Sequence, residues 1–476
     1  MRSSRGGIGS SHERSGGVEG CTRYGHTALG AGEGRLQKAH KYGLGAFVLL
    51  MGASLLAMRP EPAENDAGQK VAQANLKLAA VSEAARRDVD YALLDQRLRQ
   101  LIAKPSMVGL AVGVVENGRI TFLRGYGETL DGSGEPVTPE TVFRWASVSK
   151  GVAGTMVTKL AQQGKVQLDA PVVNYAPDLK LPAQAQYRAT VGHLLSHRVG
   201  LYRNAYDNKL EEGQDPHFLR QTLGQLNLIC PPGTCWSYQN IAYDASSDIV
   251  ANATGLPYEE AVRQQLFNPI GMTSASMSLP ALEANRSWAR PHGAGGRPLP
   301  LVDTYYKVPA AGGVNSNIKD LALWMVAQMG EMPGVLDAQL LRTIHAPYVV
   351  TPGERRRLRK FLERIKTAWY GYGWRSYDYA GHRIVGHRGG INGYRALILF
   401  DPEKKSGVVA LWNSNTNQPG GLEFEVMDMI FGLPFRDWLE LNSSPAEQVQ
   451  HVAEADSETE SGDSGSRAAA RRAARR

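Results

Sequence analysis

Phe143-Arg144-Trp145-Ala146-Ser147-Val148-Ser149-Lys150 stands immediately before a helix-like stretch, Gly151 to Gln163. A serine and a lysine three positions apart at a helix start lie on one face, with the hydroxyl beside the unpaired backbone N–H groups of the first turn. That placement suits a nucleophile. Serine is a poor nucleophile near neutral pH and needs a base, and lysine serves as one only where burial or nearby positive charge lowers its pKa. Ser-x-x-Lys also occurs often by chance, so the surrounding sequence has to decide.

Outward from this stretch, Val89 to Ile102 shows helical spacing of Tyr91, Leu93, Leu94, Leu98 and Leu101 and ends before Pro105. Val108 to Val115 and Ile120 to Tyr126 are apolar runs joined by Glu116, Asn117 and Gly118, the pattern of a β-hairpin with an Asn-Gly turn. Near the other end, Arg395 to Phe400 and Gly407 to Trp412 flank Asp401, Pro402, Glu403 and Lys404 as a second hairpin. Strands at both ends with helical sequence between them predict an α+β domain whose terminal segments share one antiparallel sheet. Two further clusters punctuate the helical part. Trp236-Ser237-Tyr238-Gln239-Asn240 precedes a helix-like stretch to Gly255, and Gly386-His387-Arg388-Gly389-Gly390 leads into the second hairpin.

These boxes, in this order, resemble the Ser-x-x-Lys, Tyr-x-Asn and Lys/His-x-Gly boxes of the serine β-lactamase and penicillin-binding-protein superfamily. The tyrosine in the second box is similar to that of the class C β-lactamase branch, with its D-alanyl-D-alanine peptidase, D-aminopeptidase and esterase relatives. The resemblance runs from about Ala92 to about Pro434. Thr190 to Leu201, with its His-Leu-Leu-Ser-His core, looks like the family's connecting helix; Leu266 to Met272 resembles its Pro-Leu-Gly-Met turn, and Ala310 to Leu323 its Ala-Gly-Gly segment. The resemblance implies a β-lactamase/DD-peptidase-like fold, with the antiparallel sheet and its flanking helices on one side, an all-helical lobe on the other and the active site between them. It implies Ser147 as the nucleophile, Lys150 and Tyr238 as its proton-handling partners with the choice of base open, and an acyl-enzyme intermediate. Asn240 would hold the substrate amide or the Lys150 side chain. His387 would supply positive charge or a hydrogen bond to substrate or to Tyr238. Gly389 and Gly390 would line the substrate, with the N–H groups of Ser147 and Gly390 as oxyanion hole. Read singly, Tyr238 is a core tyrosine and His387 a turn histidine; the ordered set outweighs those readings.

Departures bear on substrate. True β-lactamases commonly have Lys where His387 stands, and His-x-Gly is frequent among esterase and peptidase relatives, so a D-amino-acid peptide or small ester is favoured over a β-lactam. Arg388 is read as a solvent-facing arginine on an edge strand. A non-catalytic binding or scaffold protein keeping the same fold is the alternative, against which the three intact boxes count.

Composition frames this reading. Of 476 residues 42% are hydrophobic and 21% charged, which is ordinary globular usage and excludes a wholly disordered or membrane-embedded chain. The formal charge of +7 is concentrated in the terminal arginines from Arg467 to Arg476, and the absence of a basic, aromatic-interleaved run elsewhere argues against a nucleic-acid partner. Residues 1–42 form a basic Gly/Ser-rich extension, 43–58 an apolar signal or membrane-anchor segment, 59–85 a linker, and 86–440 the hydrolase-like domain. Residues 443–476, acidic then basic, are expected to be disordered; their Gly462-Asp463-Ser464-Gly465 lacks the rigid pocket that a protease nucleophile requires. Such a layout predicts an exported or membrane-tethered protein facing the extracytoplasmic side, acting on a small-molecule or peptide substrate. Cys230 and Cys235 bracket Pro-Pro-Gly-Thr and are either a small disulfide or two independent thiols. No metal or other cofactor is expected. His193 and His197, four apart on an expected helix, lack the glutamate of a zinc protease motif and are read as structural.

Overall fold

The structure is a computed structural model and describes residues 87–442; the extension, the apolar segment, the linker and the acidic-then-basic tail lie outside the described residues. The first helix, α1 (Tyr91–Ile102), starts where the Asp90 carboxylate accepts the Ala92 and Leu93 N–H groups. The strands β1 (Gly109–Glu116) and β2 (Arg119–Gly127) follow as a hairpin. Asn117 and Gly118 both adopt positive φ, 51° and 75°, the type I′ geometry that matches the twist of paired strands.

After the short strand β3 (Phe143–Arg144) comes α2 (Ser149–Gln162), and then α3 (Val191–Leu195), α4 (Ile241–Thr254), α5 (Pro309–Gly312), β4 (Asn315–Ser316) and α6 (Ile318–Gln328). The chain ends in strands β5 (Val349–Val350), β6 (Ile365–Tyr370), β7 (Arg375–Tyr379), β8 (His382–Ile391), β9 (Tyr394–Asp401) and β10 (Ser406–Trp412), closed by helix α7 (Leu422–Ile430). Eight of the strands make one antiparallel sheet in the order β2-β1-β10-β9-β8-β7-β6-β5, and β3 pairs with β4 apart from it. Leu110 lies opposite Trp412, so the two ends of the domain do share the sheet. The fold is α+β.

Strand alternation feeds two cores. Ala111, Val115, Val409, Leu411, Ile398 and Phe400 face the helical side with α2, α4 and α6, whereas Leu110, Val112, Val114, Val408 and Leu399 face α1 and α7. Each fully buried aliphatic side chain contributes roughly 1.5–3 kcal/mol. The α2 helix is buried almost all round, from Ser149 through Thr158, which is why a lysine on it stands out of water.

One expectation is corrected. Thr190 to Leu201 is not one helix: α3 stops at Leu195, because His197 takes a left-handed φ of 57° and the chain there hydrogen-bonds sideways, Ser237 N–H to the His197 carbonyl at 2.9 Å. The third box does lead into the second hairpin, β9–β10, and it is the end of a strand in its own right, β8, which pairs with β9 throughout the box and with β7 only as far as Gly386. Glycines there hid its alternation.

Cys230 and Cys235 form a disulfide, with Cα atoms 6.2 Å apart. Iodoacetamide under denaturing, non-reducing conditions should therefore add one label, at Cys21, rather than three. Closing so short a loop is worth about 2 kcal/mol by chain entropy, so Cys235→Ser should lower the urea midpoint accordingly.

Candidate active site

Ser147 occupies a 3-10 turn, Ala146–Val148, that hands the chain from β3 to α2. The turn is tight: Ala146, without the freedom of a glycine, holds φ at 49°. It is fixed from both sides, since the Trp145 N–H donates to the Val314 carbonyl at 2.8 Å and its indole N–H to the Ser316 hydroxyl at 2.9 Å. β8 closes the other side. A Cβ on Gly389 would stand 2.1 Å from the Trp145 carbonyl oxygen and 3.1 Å from the Ser147 nitrogen, so only glycine lets the strand come so near.

Lys150 is fully buried one helical turn on. Its Nζ lies 2.6 Å from Asn240 Oδ1, 2.8 Å from the Ala311 carbonyl of α5 and 3.4 Å from Ser147 Oγ. Three N–H groups thus meet three acceptors, and the longest contact is the one to the hydroxyl that would react. Tyr238 lies with its ring centroid 4.8 Å from Lys150 Nζ, and among the described residues no hydrogen bond engages its hydroxyl. Asn240 uses its amide in both directions, accepting from Lys150 and donating to Asp207 Oδ2 at 2.7 Å. Ser147, Lys150, Tyr238 and Asn240 are therefore brought together.

His387 differs from expectation. It is buried, its Nδ1 lies 2.7 Å from the Arg388 carbonyl and its Nε2 3.1 Å from the Tyr370 hydroxyl. Burial, with the positive charges of Arg375 and Lys150 nearby, holds its pKa well below 6.5. Of the two expected contributions, positive charge is corrected to a neutral imidazole, whose hydrogen bond on the Nε2 side goes to Tyr370 and not to Tyr238. Arg388 is exposed, on a stretch of β8 that only β9 pairs, as expected, but its guanidinium is engaged: it pairs with the buried Glu423 of α7 and donates to the Gly420 carbonyl at 3.1 Å. Gly390 remains exposed on β8. Because β7 begins opposite Gly386, one edge of β8 runs unpaired from His387 onward, leaving backbone groups there for a ligand.

Four further residues shape the site without having been given a role in it from the sequence. Asp207 orients Asn240, Ala311 holds Lys150, and His197 and Tyr370 pack under Tyr238, with the His197 ring centroid 4.3 Å from that of Tyr238. His197 lay within a stretch that the resemblance picks out, whereas Tyr370 and Asp207 carry no local signal. The His193 ring serves the α3 capping box with Thr190, and the helix ends before His197, so the two imidazoles do not share a helix face. Arg203 sets its guanidinium 5.4 Å over the Tyr238 ring, and no carboxylate among the described residues reaches it within ion-pair distance. Arg375, also over that ring, is paired with Glu354 at 2.9 Å.

Burial pushes the Asp207 carboxyl up to about 6, partly offset by the Asn240 bond, and its Oδ1 is buried without a partner. A raised folded-state pKa means that the native state binds more protons between pH 3.8 and about 6, so stability falls as pH rises through that window. Asp207→Asn should remove this slope. Urea unfolding should show the variant gaining stability on the native chain at about pH 7.5 and losing that advantage at about pH 4.5.

The model of the family described as Beta-lactamase matches residues 94–427. Among curated proteins, the chain is 27% identical over 342 residues to unguisins hydrolase ungD' of Aspergillus campestris, covering 69% of this chain and 62% of that protein. It is 29% identical over 341 residues to penicillin-binding protein 4 of Amycolatopsis lactamdurans, covering 68% and 85%. Among solved structures, the octameric penicillin-binding protein homologue from Pyrococcus abyssi superposes with a TM-score of 0.65 at 24% identity, over 72% of this chain and 78% of that one. The fold is thus that of β-lactamases and penicillin-binding proteins. The chain belongs to the β-lactamase family.

Proposed function

We propose that this chain is a serine hydrolase that opens an amide or ester through an acyl-enzyme on Ser147. The observation that carries the reading is the buried Lys150, whose Nζ reaches Ser147 Oγ at 3.4 Å while Asn240 and Ala311 hold it in place. Ser147 Oγ attacks the carbonyl carbon as its proton passes to Lys150 or to Tyr238. The oxyanion is met by the N–H groups of Ser147 and Gly390, of which losing one costs about 3 kcal/mol of transition-state stabilisation. The proton returns to the leaving amine or alcohol, and water then releases the acid by the same route.

A peptide or small ester fits better than a β-lactam, because His387 is neutral and turned inward while Arg388 is spent on Glu423. Arg203, which no carboxylate among the described residues pairs, is a cation placed to greet an acidic group on the substrate. Action outside the cytoplasm belongs to the same proposal: the Cys230–Cys235 disulfide supports an oxidising compartment, and the apolar segment at 43–58 an export route. Intact mass of the protein mixed with an organophosphonate, and separately with a penicillin, beside Ser147→Ala tests the reading. A phosphonyl adduct on the native chain and none on the variant is expected. No adduct with either reagent would favour a non-catalytic scaffold.

A further inference from the structure

We propose that His197 and Tyr370 are positioning residues, forming with His387 a hydrogen-bonded chain that ties the Tyr238-Gln239-Asn240 segment to the unpaired edge of β8. The proposal rests on the reading of Ser147 as nucleophile. Donor and acceptor rules leave the chain one arrangement. At one end the Gln239 backbone N–H donates to His197 Nδ1 at 3.2 Å, so that nitrogen carries no proton and His197 Nε2–H donates to the Tyr370 oxygen, also at 3.2 Å. At the other end the Arg388 carbonyl can only accept, so His387 Nδ1–H donates to it at 2.7 Å. His387 Nε2 is then left to accept the Tyr370 O–H at 3.1 Å. Every ring nitrogen is used once, and the phenol both accepts and donates.

Protonating either imidazole would reverse a link. His197 faces Lys150, His387, Arg375 and Arg203, His387 faces Arg375 and Lys150, and burial together with these cations keeps both rings neutral. All three side chains are buried, Tyr370 completely. A fully satisfied polar chain in a low-dielectric interior is stiff, because any displacement leaves a buried group unpaired.

The two anchors explain its use. Gln239 sits between Tyr238 and Asn240, so the N–H it gives to His197 fixes the backbone that aims both side chains. Residues two apart on a strand present their backbone groups to the same edge, so the Arg388 carbonyl shares its edge with the Gly390 N–H. No strand pairs that edge beyond Gly386. The chain therefore does there what a neighbouring strand would do elsewhere: it holds an oxyanion donor in register with the proton-handling tyrosine.

Two measurements on the full chain test this. In 15N-histidine spectra, assigned with His197→Gln and His387→Gln, His197 should show the Nε2–H tautomer and His387 the Nδ1–H tautomer from about pH 5.5 to about pH 8. Any other tautomer, or a charged ring, overturns the proposal. Tyr370→Phe keeps the ring and breaks both central bonds; the rate at which a fluorophosphonate labels Ser147 should fall on the order of 10- to 100-fold. The Tyr370→Phe/His387→Gln double variant should be no slower than the slower single. A Tyr370→Phe rate within about twofold of native, or single effects that multiply in the double variant, overturns it as well. If the native chain does not label at all, the nucleophile reading fails and the tautomers alone decide the chain.

Discussion

A Lys150→Ala chain is expected to lose about 100- to 10,000-fold in kcat/KM against any ester that the native protein turns over. It should also lose stability. Deleting the ammonium leaves the Asn240 Oδ1 and the Ala311 carbonyl buried without their donor, at about 1–3 kcal/mol for each orphaned group. Lys150→Met, which refills the volume with a neutral chain, should recover packing but neither the hydrogen bonds nor the rate. Burst-phase kinetics with a chromogenic ester and urea unfolding separate the two losses. If Lys150→Met turned over within tenfold of the native chain, the lysine would be scaffolding and the base would have to be Tyr238 alone.

Gly389→Ala is expected to be at least as severe, through sterics and not through chemistry. The added methyl would stand 2.1 Å from the Trp145 carbonyl, which is backbone and itself pinned through the Trp145 N–H to Val314. Either β8 withdraws or the Ser147 turn distorts, and both separate Ser147 from the Gly390 N–H. Overpacking of this kind costs about 1–3 kcal/mol of stability, and an ångström of misalignment at reacting atoms about 100-fold in rate. Gly390→Ala is the contrast: its nearest neighbour would be the flexible Arg395 side chain at 3.2 Å, so the fold should tolerate it with a midpoint near native. Thermal melts of the two variants side by side, with the fluorophosphonate labelling rate, check the difference.

What the sequence revealed follows from how local each signal is. The hairpin around Asn117 and Gly118 was legible because two consecutive positive φ values demand those residue types. The Ser147–Lys150 pair was legible because one helical turn sets its geometry. β8 was not, since three of its residues are glycines, of which Gly386 and Gly389 stand where a Cβ would meet backbone, and they blank the apolar alternation. The His197 kink was hidden for a related reason: nothing in His-Leu-Leu-Ser-His announces a left-handed residue, which is held there by its bonds to Tyr370, Ser237 and Gln239. The charge state of His387 and the partner of Arg388 were not legible, because they depend on neighbours that other elements bring in, Arg375, Lys150 and Glu423. Local pattern brought out Ser147 and Lys150; their electrostatic surroundings required the fold.

The pairing of β1 with β10 has a consequence for how the molecule comes to exist. Leu110 waits for Trp412, roughly 300 residues further along, before its strand has a second neighbour. At the pace of ribosomal synthesis that interval is on the order of half a minute, during which the first hairpin presents an apolar, unpaired edge. Every residue of the helical lobe is made inside that interval, so Ser147 is translated long before the strand that backs it. A chain that stops short of β10 carries Ser147, Lys150 and Tyr238 in full, yet it lacks the strand that joins the first hairpin to the rest of the sheet.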